Sequence, residues 1–326
     1  MSTQSVASRL KISHTIGRRD AAGPSFRYPA ALAVNDRLGC LYVVSRSIPG
    51  RPDGLRVTMC TLDEDYMGQF GTGGAGDGQL IWPAGIAIDQ EDHVYVSDAR
   101  LNRISIFSCE GEFLGKWGTA GSGDGELNRP SGLAFDRDDN LLVVDSSNNR
   151  IQKYTKDGRL RAKWGRAGSG DGEFNLPWGI EVDQEGDVYV ADWRNDRIQK
   201  FSSDGRFMMK FGGSGKGDAQ FDRPSAVAVD RDGDIYVADC GNDRLEMFDA
   251  RGHHTATYLG EGSVSKWGKA KLDGNKEMWQ EREVAYQLER EKLFWSPVAV
   301  EVDAEGRVLV VERGRHRIQV YRKLST

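Results

Sequence analysis

Short runs of β-branched and aromatic residues, separated by turns rich in glycine and aspartate, fill most of this chain. Helical periodicity is confined to a stretch near residue 276. Within one period, Gly179-Ile180-Glu181-Val182-Asp183 is turned by Glu185-Gly186-Asp187 into Val188-Tyr189-Val190-Ala191. A polar loop, Asp192 to Asp196, then leads to Arg197-Ile198-Gln199-Lys200-Phe201, and Ser203-Asp204-Gly205 turns the chain into Phe207-Met208-Met209-Lys210-Phe211. Runs of this length and composition, bounded by such turns, read as strands joined by hairpins. Each period therefore predicts a four-stranded meander.

The unit recurs six times, and each copy opens with a proline followed by small and apolar residues: Pro29, Pro83, Pro130, Pro177, Pro224 and Pro297. Three successive intervals, from Pro83 to Pro224, are each 47 residues. Four strands per repeat, no intervening helix and this period predict an all-β fold, a six-bladed β-propeller forming one domain over residues 1–326. The last repeat supplies three strands and ends at Tyr321, while Leu10 to Gly17 has the pattern of a fourth. The N-terminal strand is thus expected to complete the sixth blade and remove the open edges. Between Pro224 and Pro297 the interval grows to 73 residues, which predicts an insertion at 264–294. Lys276 to Phe294 lacks proline and glycine and spaces Trp279, Tyr286 and Leu293 by seven, so a helix lying apolar side down is expected there. A lid over one mouth of the propeller is one role for it; a brace or an oligomer contact is the other.

Gly85-Ile86-Ala87-Ile88-Asp89, Val94 to Asp98 and Asn102-Arg103-Ile104 resemble the NHL repeat, as do Tyr189 to Asp192 with Asp196-Arg197-Ile198. The resemblance covers nearly the whole chain and implies the propeller fold. It implies no single function, because NHL-type propellers include RNA-binding and protein-binding modules, a peptide-amidating lyase and antibiotic-inactivating lyases.

A net charge of −5 gives no general attraction to phosphate backbones, which argues against a nucleic-acid partner. No apolar run suits a signal peptide or a bilayer span, so the expected location is cytoplasmic, without a membrane partner. The four cysteines are widely spaced, as free thiols are. His14, His93, His253 and His254 fall in a closing strand and in turns, which argues against a three-histidine zinc centre.

Asp98, Asp145, Asp192, Asp239 and Glu312 close the second strands, and Arg103, Arg150, Arg197, Arg244 and Arg317 open the third. A pair repeated in every such blade is expected to fix a loop. Departures from the repeat carry more information. Four residues after the proline the chain has Ala33, Ala87, Ala134 and Ala228, but Glu181 and Glu301 in blades 4 and 6. A carboxylate near the axis needs a partner, which makes these two candidate general bases or ligands of a divalent cation in a lyase or hydrolase. At the end where the inner strands begin, Trp82, Arg129, Trp178, Trp193, Arg194, Arg223, Cys240, Arg313 and His316 gather. Such a mouth suits an anionic or aromatic small ligand, or a partner peptide, through stacking and forked hydrogen bonds. Recognition at this mouth is the leading expectation and catalysis by Glu181 and Glu301 the alternative.

Overall fold

The computed structural model describes residues 9–20, 23–47, 54–283 and 288–324. Six antiparallel sheets of four strands form the blades. Their inner strands, Pro29–Asn35, Pro83–Ile88, Pro130–Phe135, Ile180–Val182, Pro224–Val229 and Pro297–Val302, each touch the next, and the last touches the first. This closed circle is the six-bladed propeller that the repeat predicts. Among the described residues, no helix is long and apolar enough to cross a membrane.

The burial pattern explains the composition of each strand. Second strands such as Val188–Asp192 are buried at every position, because both faces of the sheet meet a neighbouring blade. Outer strands such as Phe207–Phe211 alternate between half-buried and exposed, as a strand with one wet face must. Six apolar clusters fill the six interfaces between blades. Around the axis the backbones nearly touch. A Cβ on Gly132 would lie 2.6 Å from the Trp178 carbonyl oxygen, and one on Gly179 would lie 2.6 Å from that of Ser225. Small residues after the proline therefore set how narrow the axial channel is.

The repeated carboxylates are structural. Asp192 accepts from the Asn175 backbone N–H, the Asn195 amide, Arg197 Nε at 2.8 Å and the Gln199 amide. Arg197 also donates to the carbonyls of Ser169, Gly170 and Glu173, so the glycine-rich link from the preceding blade is held by one guanidinium. Asp145 with Arg150 and Asp239 with Arg244 repeat the arrangement. In blade 6, Glu312 accepts from Arg317, which donates to carbonyls of Glu291, Lys292 and Leu293.

Closure follows the expectation. Leu10–Ile16 pairs antiparallel with Arg317–Lys323, placing Ile16 opposite Ile318 and Leu10 opposite Lys323. The insertion differs in detail. Its first helix, α1 (Lys266–Asp273), was not foreseen, because Gly268 interrupts the pattern; Ser265 caps it by accepting from the Gly268 N–H. Trp267 anchors α1 with its ring edge-on to Phe26, and its N–H donates to Glu64. Of the expected helix from Lys276 to Phe294, the described residues form α2 (Lys276–Glu283) and α3 (Leu288–Lys292), residues 284–287 lie outside the described residues, and Leu293 and Phe294 are outside the helices. Tyr286 of the expected stripe lies outside the described residues. Removing residues 1–16 should leave the edge of Arg317–Lys323 unpaired and lose the burial of Leu10 and Ile16, at a cost of at least about 3 kcal/mol. Thermal melting and size-exclusion chromatography check this: a large fall in Tm with aggregation is expected, and an unchanged Tm would contradict the closure.

Candidate functional site

The axis holds two wide openings separated by a constriction. At the end where the inner strands begin, a cavity of about 410 Å³ is walled by Trp82, Trp178, Trp193 and Trp295 and by Arg46, Arg129, Arg223 and Arg313, with Cys240 on its rim. Seven of the nine mouth residues expected from the sequence thus converge. For two of them the backbone position follows from one strained feature of the repeat. Arg129 and Arg223, each just before a proline, have left-handed φ of 54° and 57°. The N–H of each is held by a side chain of the preceding blade: Asn102 for Arg129 and Asp196 for Arg223. This latch fixes the backbone of the rim and leaves the side chain to point where ligand chemistry needs it.

Two expected residues stand apart from the cavity. Arg194 is exposed and lays its guanidinium over the outer part of Trp193, 5.6 Å from the ring centroid. His316 is buried and occupies the latch position of blade 6: its Nδ1 accepts from the Tyr28 N–H at 2.8 Å, and its ring stands edge-on to Tyr28. It therefore follows the repeat, in the place that Asn102, Asn149, Asp196 and Asp243 fill elsewhere, and shares their positive φ. Asn and Asp are common in that conformation and His less so, which hid the equivalence in the sequence. Among the described residues no hydrogen bond joins His316 to Cys240, and burial raises the thiol pKa.

Arg46 and Trp295 were not anticipated. Arg46 occupies the position that Ala99, Trp193 and Arg313 hold in other blades, and its N–H bonds to the Tyr28 carbonyl as those of Ala99 and Arg313 bond to the carbonyls of Trp82 and Ser296. Ser45 before it replaces the usual carboxylate, so alignment by charge passed over it. Its guanidinium carbon lies 5.1 Å from the Trp82 centroid and 5.7 Å from that of Trp178.

Glu181 and Glu301 do not join this mouth. Glu301 lines the constriction, which holds about 50 Å³ together with the small residues of the inner strands. Glu181 lines the opposite opening, about 690 Å³, with Asp36, Asp183, Asp230 and Asp303. Both are half-buried on the channel wall. Burial, then Glu301 and Asp183, push the Glu181 carboxyl well above its ordinary range; burial and Asp36 raise that of Glu301. Glu301, raised to about 8, stays largely protonated near neutrality. Elsewhere, Asp89, Glu91 and His93 cluster in the first turn of blade 2, but Lys156 reaches all three neighbouring carboxylates there, at 3.5 Å, 3.2 Å and, for Asp139, 2.7 Å. That ammonium already supplies the positive charge a cation would bring. The insertion helices contribute no described residue to the tryptophan-lined cavity; they border a separate one of about 680 Å³ with Gly17, Arg19 and Arg317.

The NHL repeat profile matches residues 127–154, 174–201, 221–248 and 294–321, and each window ends with the third strand of blades 3 to 6. The chain is an NHL-repeat β-propeller. Among solved structures, this NHL propeller is similar to a catalytically inactive virginiamycin B lyase from Staphylococcus aureus with quinupristin: 12% identity, 97% of this chain and 100% of that chain covered, TM-score 0.60. A streptogramin B lyase gives 11% identity, coverage of 97% and 98%, and TM-score 0.58. A protein of unknown function from Bacteroides thetaiotaomicron gives 19% identity, coverage of 96% and 75%, and TM-score 0.63. At these identities the propeller shares the fold with them. No curated protein sequence matches it significantly.

Two titrations follow. Burial, then Arg19 and Arg27, lower the His316 pKa to about 4, so the folded state keeps it neutral while the unfolded chain takes up a proton below about 6.5. Its contribution to stability is complete above pH 6.5 and is lost as pH falls toward 4. His316→Asn should keep the latch and remove that part of the acid sensitivity, whereas His316→Ala should cost about 1–3 kcal/mol at pH 7 by orphaning the Tyr28 N–H. Urea denaturation at a series of pH values separates the two. For Glu301 the sign is opposite: its raised pKa gives stability that is present below about pH 4.5 and lost as pH rises through neutrality. Glu301→Gln should flatten that alkaline decline, and an unaltered slope would mean the carboxyl is already ionised at no cost.

Proposed function

We propose that this NHL propeller is a recognition module that binds a small ligand, or the end of a partner peptide, in the tryptophan- and arginine-lined mouth of its channel. The observation that carries the reading is the convergence, on one cavity of about 410 Å³, of residues that break the repeat. A cavity of that size suits a drug-sized or metabolite-sized molecule. Its walls offer flat aromatic faces and forked donors, and its titratable groups suit binding better than proton transfer. Cys240 is held as a thiol, Arg223 is paired with Asp222 at 2.8 Å, and Asp243 is engaged by the Ser296 N–H.

A lyase or hydrolase using Glu181 and Glu301 is the second reading, and the raised carboxyl pKa values favour it. It is the weaker one, because Glu301 lies in the constriction and Glu181 beyond it, and neither lines the cavity of the arginines that would stabilise developing negative charge.

A thermal-shift screen of small metabolites tests the first reading. Hits should raise the Tm of the native protein, with about 2.7 kcal/mol of stabilisation at a hundredfold excess over Kd. They should not raise the Tm of Trp178→Ala or Trp193→Ala variants. Hits that stabilise all three proteins equally would place recognition elsewhere, and turnover abolished by Glu181→Gln would favour the enzyme.

A further inference from the structure

Building on the reading of the mouth as a binding site, we infer that its ligand is an organic anion whose small oxyanion is received by Arg46 between Trp82 and Trp178. Arg46 is only 7% exposed. Its Nε donates to the Pro83 carbonyl at 2.6 Å, while its Nη2 is buried and, among the described residues, has no hydrogen-bond partner. A buried guanidinium normally meets a carboxylate, and one left without a counter-ion costs several kcal/mol. Here the compensation within the protein is partial. The two indole faces attract the cation by roughly 0.5–2 kcal/mol each. Asp98, the one carboxylate whose field favours its charge, is already engaged by the N–H groups of Ile81, Trp82, Arg100 and Leu101.

The surroundings add positive charge. Arg313 and Arg129 both disfavour the Arg46 cation, and among the described residues neither of their side chains has an ion-pair partner. Arginine keeps its proton, so burial and these neighbours leave Arg46 an uncompensated charge. A carboxylate or phosphate bridging Arg46 Nη2 and the Arg313 or Arg129 guanidinium would satisfy all of them at once. Among the remaining walls, which also include Arg223, Cys240 and Asp243, Trp193 and Trp295 offer flat apolar faces, which favour a planar body attached to that charged group. Trp82 and Trp178, from blades 2 and 4, both pack against this arginine from blade 1.

Fluorescence titration with a matched pair of probes tests this. 8-Anilinonaphthalene-1-sulfonate and N-phenyl-1-naphthylamine share a ring system and differ in the sulfonate. The native protein should bind the anionic probe at one site at least about tenfold more tightly than the neutral one, the value of one charged hydrogen bond. Arg46→Met should erase that preference while leaving the neutral probe bound, and Arg46→Lys, which keeps charge but loses the fork, should reduce it. Displacement of the anionic probe by phenyl phosphate more than by benzoate assigns a phosphate ligand, and the reverse order a carboxylate. Equal affinity for the two probes in the native protein, anionic binding untouched by both Arg46 variants, or no displacement by either competitor would overturn the inference. Probes that bind as before to Trp178→Ala and Trp193→Ala would overturn the mouth itself as the site, a result distinct from loss of charge preference alone.

Discussion

Asp98, Asp145, Asp192, Asp239 and Glu312 have no solvent exposure, and each persists as a buried acceptor because the chain around it is folded into donors. At Asp192 these are a backbone N–H ahead of the proline, an asparagine, an arginine and a glutamine, and the arginine spends its remaining donors on the carbonyls of the crossing link. One carboxylate thus ties the end of a second strand, the start of a third and the link between blades. Losing it would orphan several buried groups together, so the contact is all-or-none. The radial order of the sheets depends on it, and so does the geometry of the mouth.

That network uses backbone atoms and side chains that repeat from blade to blade. The positions beside it, before and after each proline and just after the second strand, are held in space without being consumed. They are therefore free to differ, and Trp82, Trp178, Trp193, Arg46 and Arg313 are the differences. The two ends of the channel diverge in consequence. One end collects cations and indoles; the other collects carboxylates among basic side chains, and burial raises the carboxyl pKa of Glu181 there and of Glu301 at the constriction. Small residues such as Gly132 and Gly179 keep the ends apart by closing the backbone around the axis.

The fold was legible because short β-branched runs bounded by turn residues recur with a period of 47, and neither signal depends on which side chain meets which. The mouth was legible for a related reason: symmetry supplies a reference residue in five other blades, so Trp178 or Arg313 stands out. The same logic failed where the reference was disguised. His316 stood out as a histidine but does the work of an asparagine, and Arg46 was passed over because Ser45 replaced the marker before it. Glu181 and Glu301 were found correctly as departures, but a strand position fixes only distance along the axis relative to its own proline. Which opening they face follows from how deep the inner strands run. Helix α1 was invisible because its stability comes from Trp267 against Phe26 and Glu64, contacts with the first blade, 203 residues or more away in sequence.

The central claim is that Arg46, a buried cation with no ion-pair partner among the described residues, receives an anion in an aromatic mouth. Anomalous diffraction from crystals of the protein grown in bromide addresses it most directly. The account predicts that the strongest bromide peak in the molecule lies against Arg46, between Trp82 and Trp178 and within reach of Arg313. Bromide found only on outer-surface lysines, with Arg46 closed off or paired to a carboxylate of the protein, would contradict it.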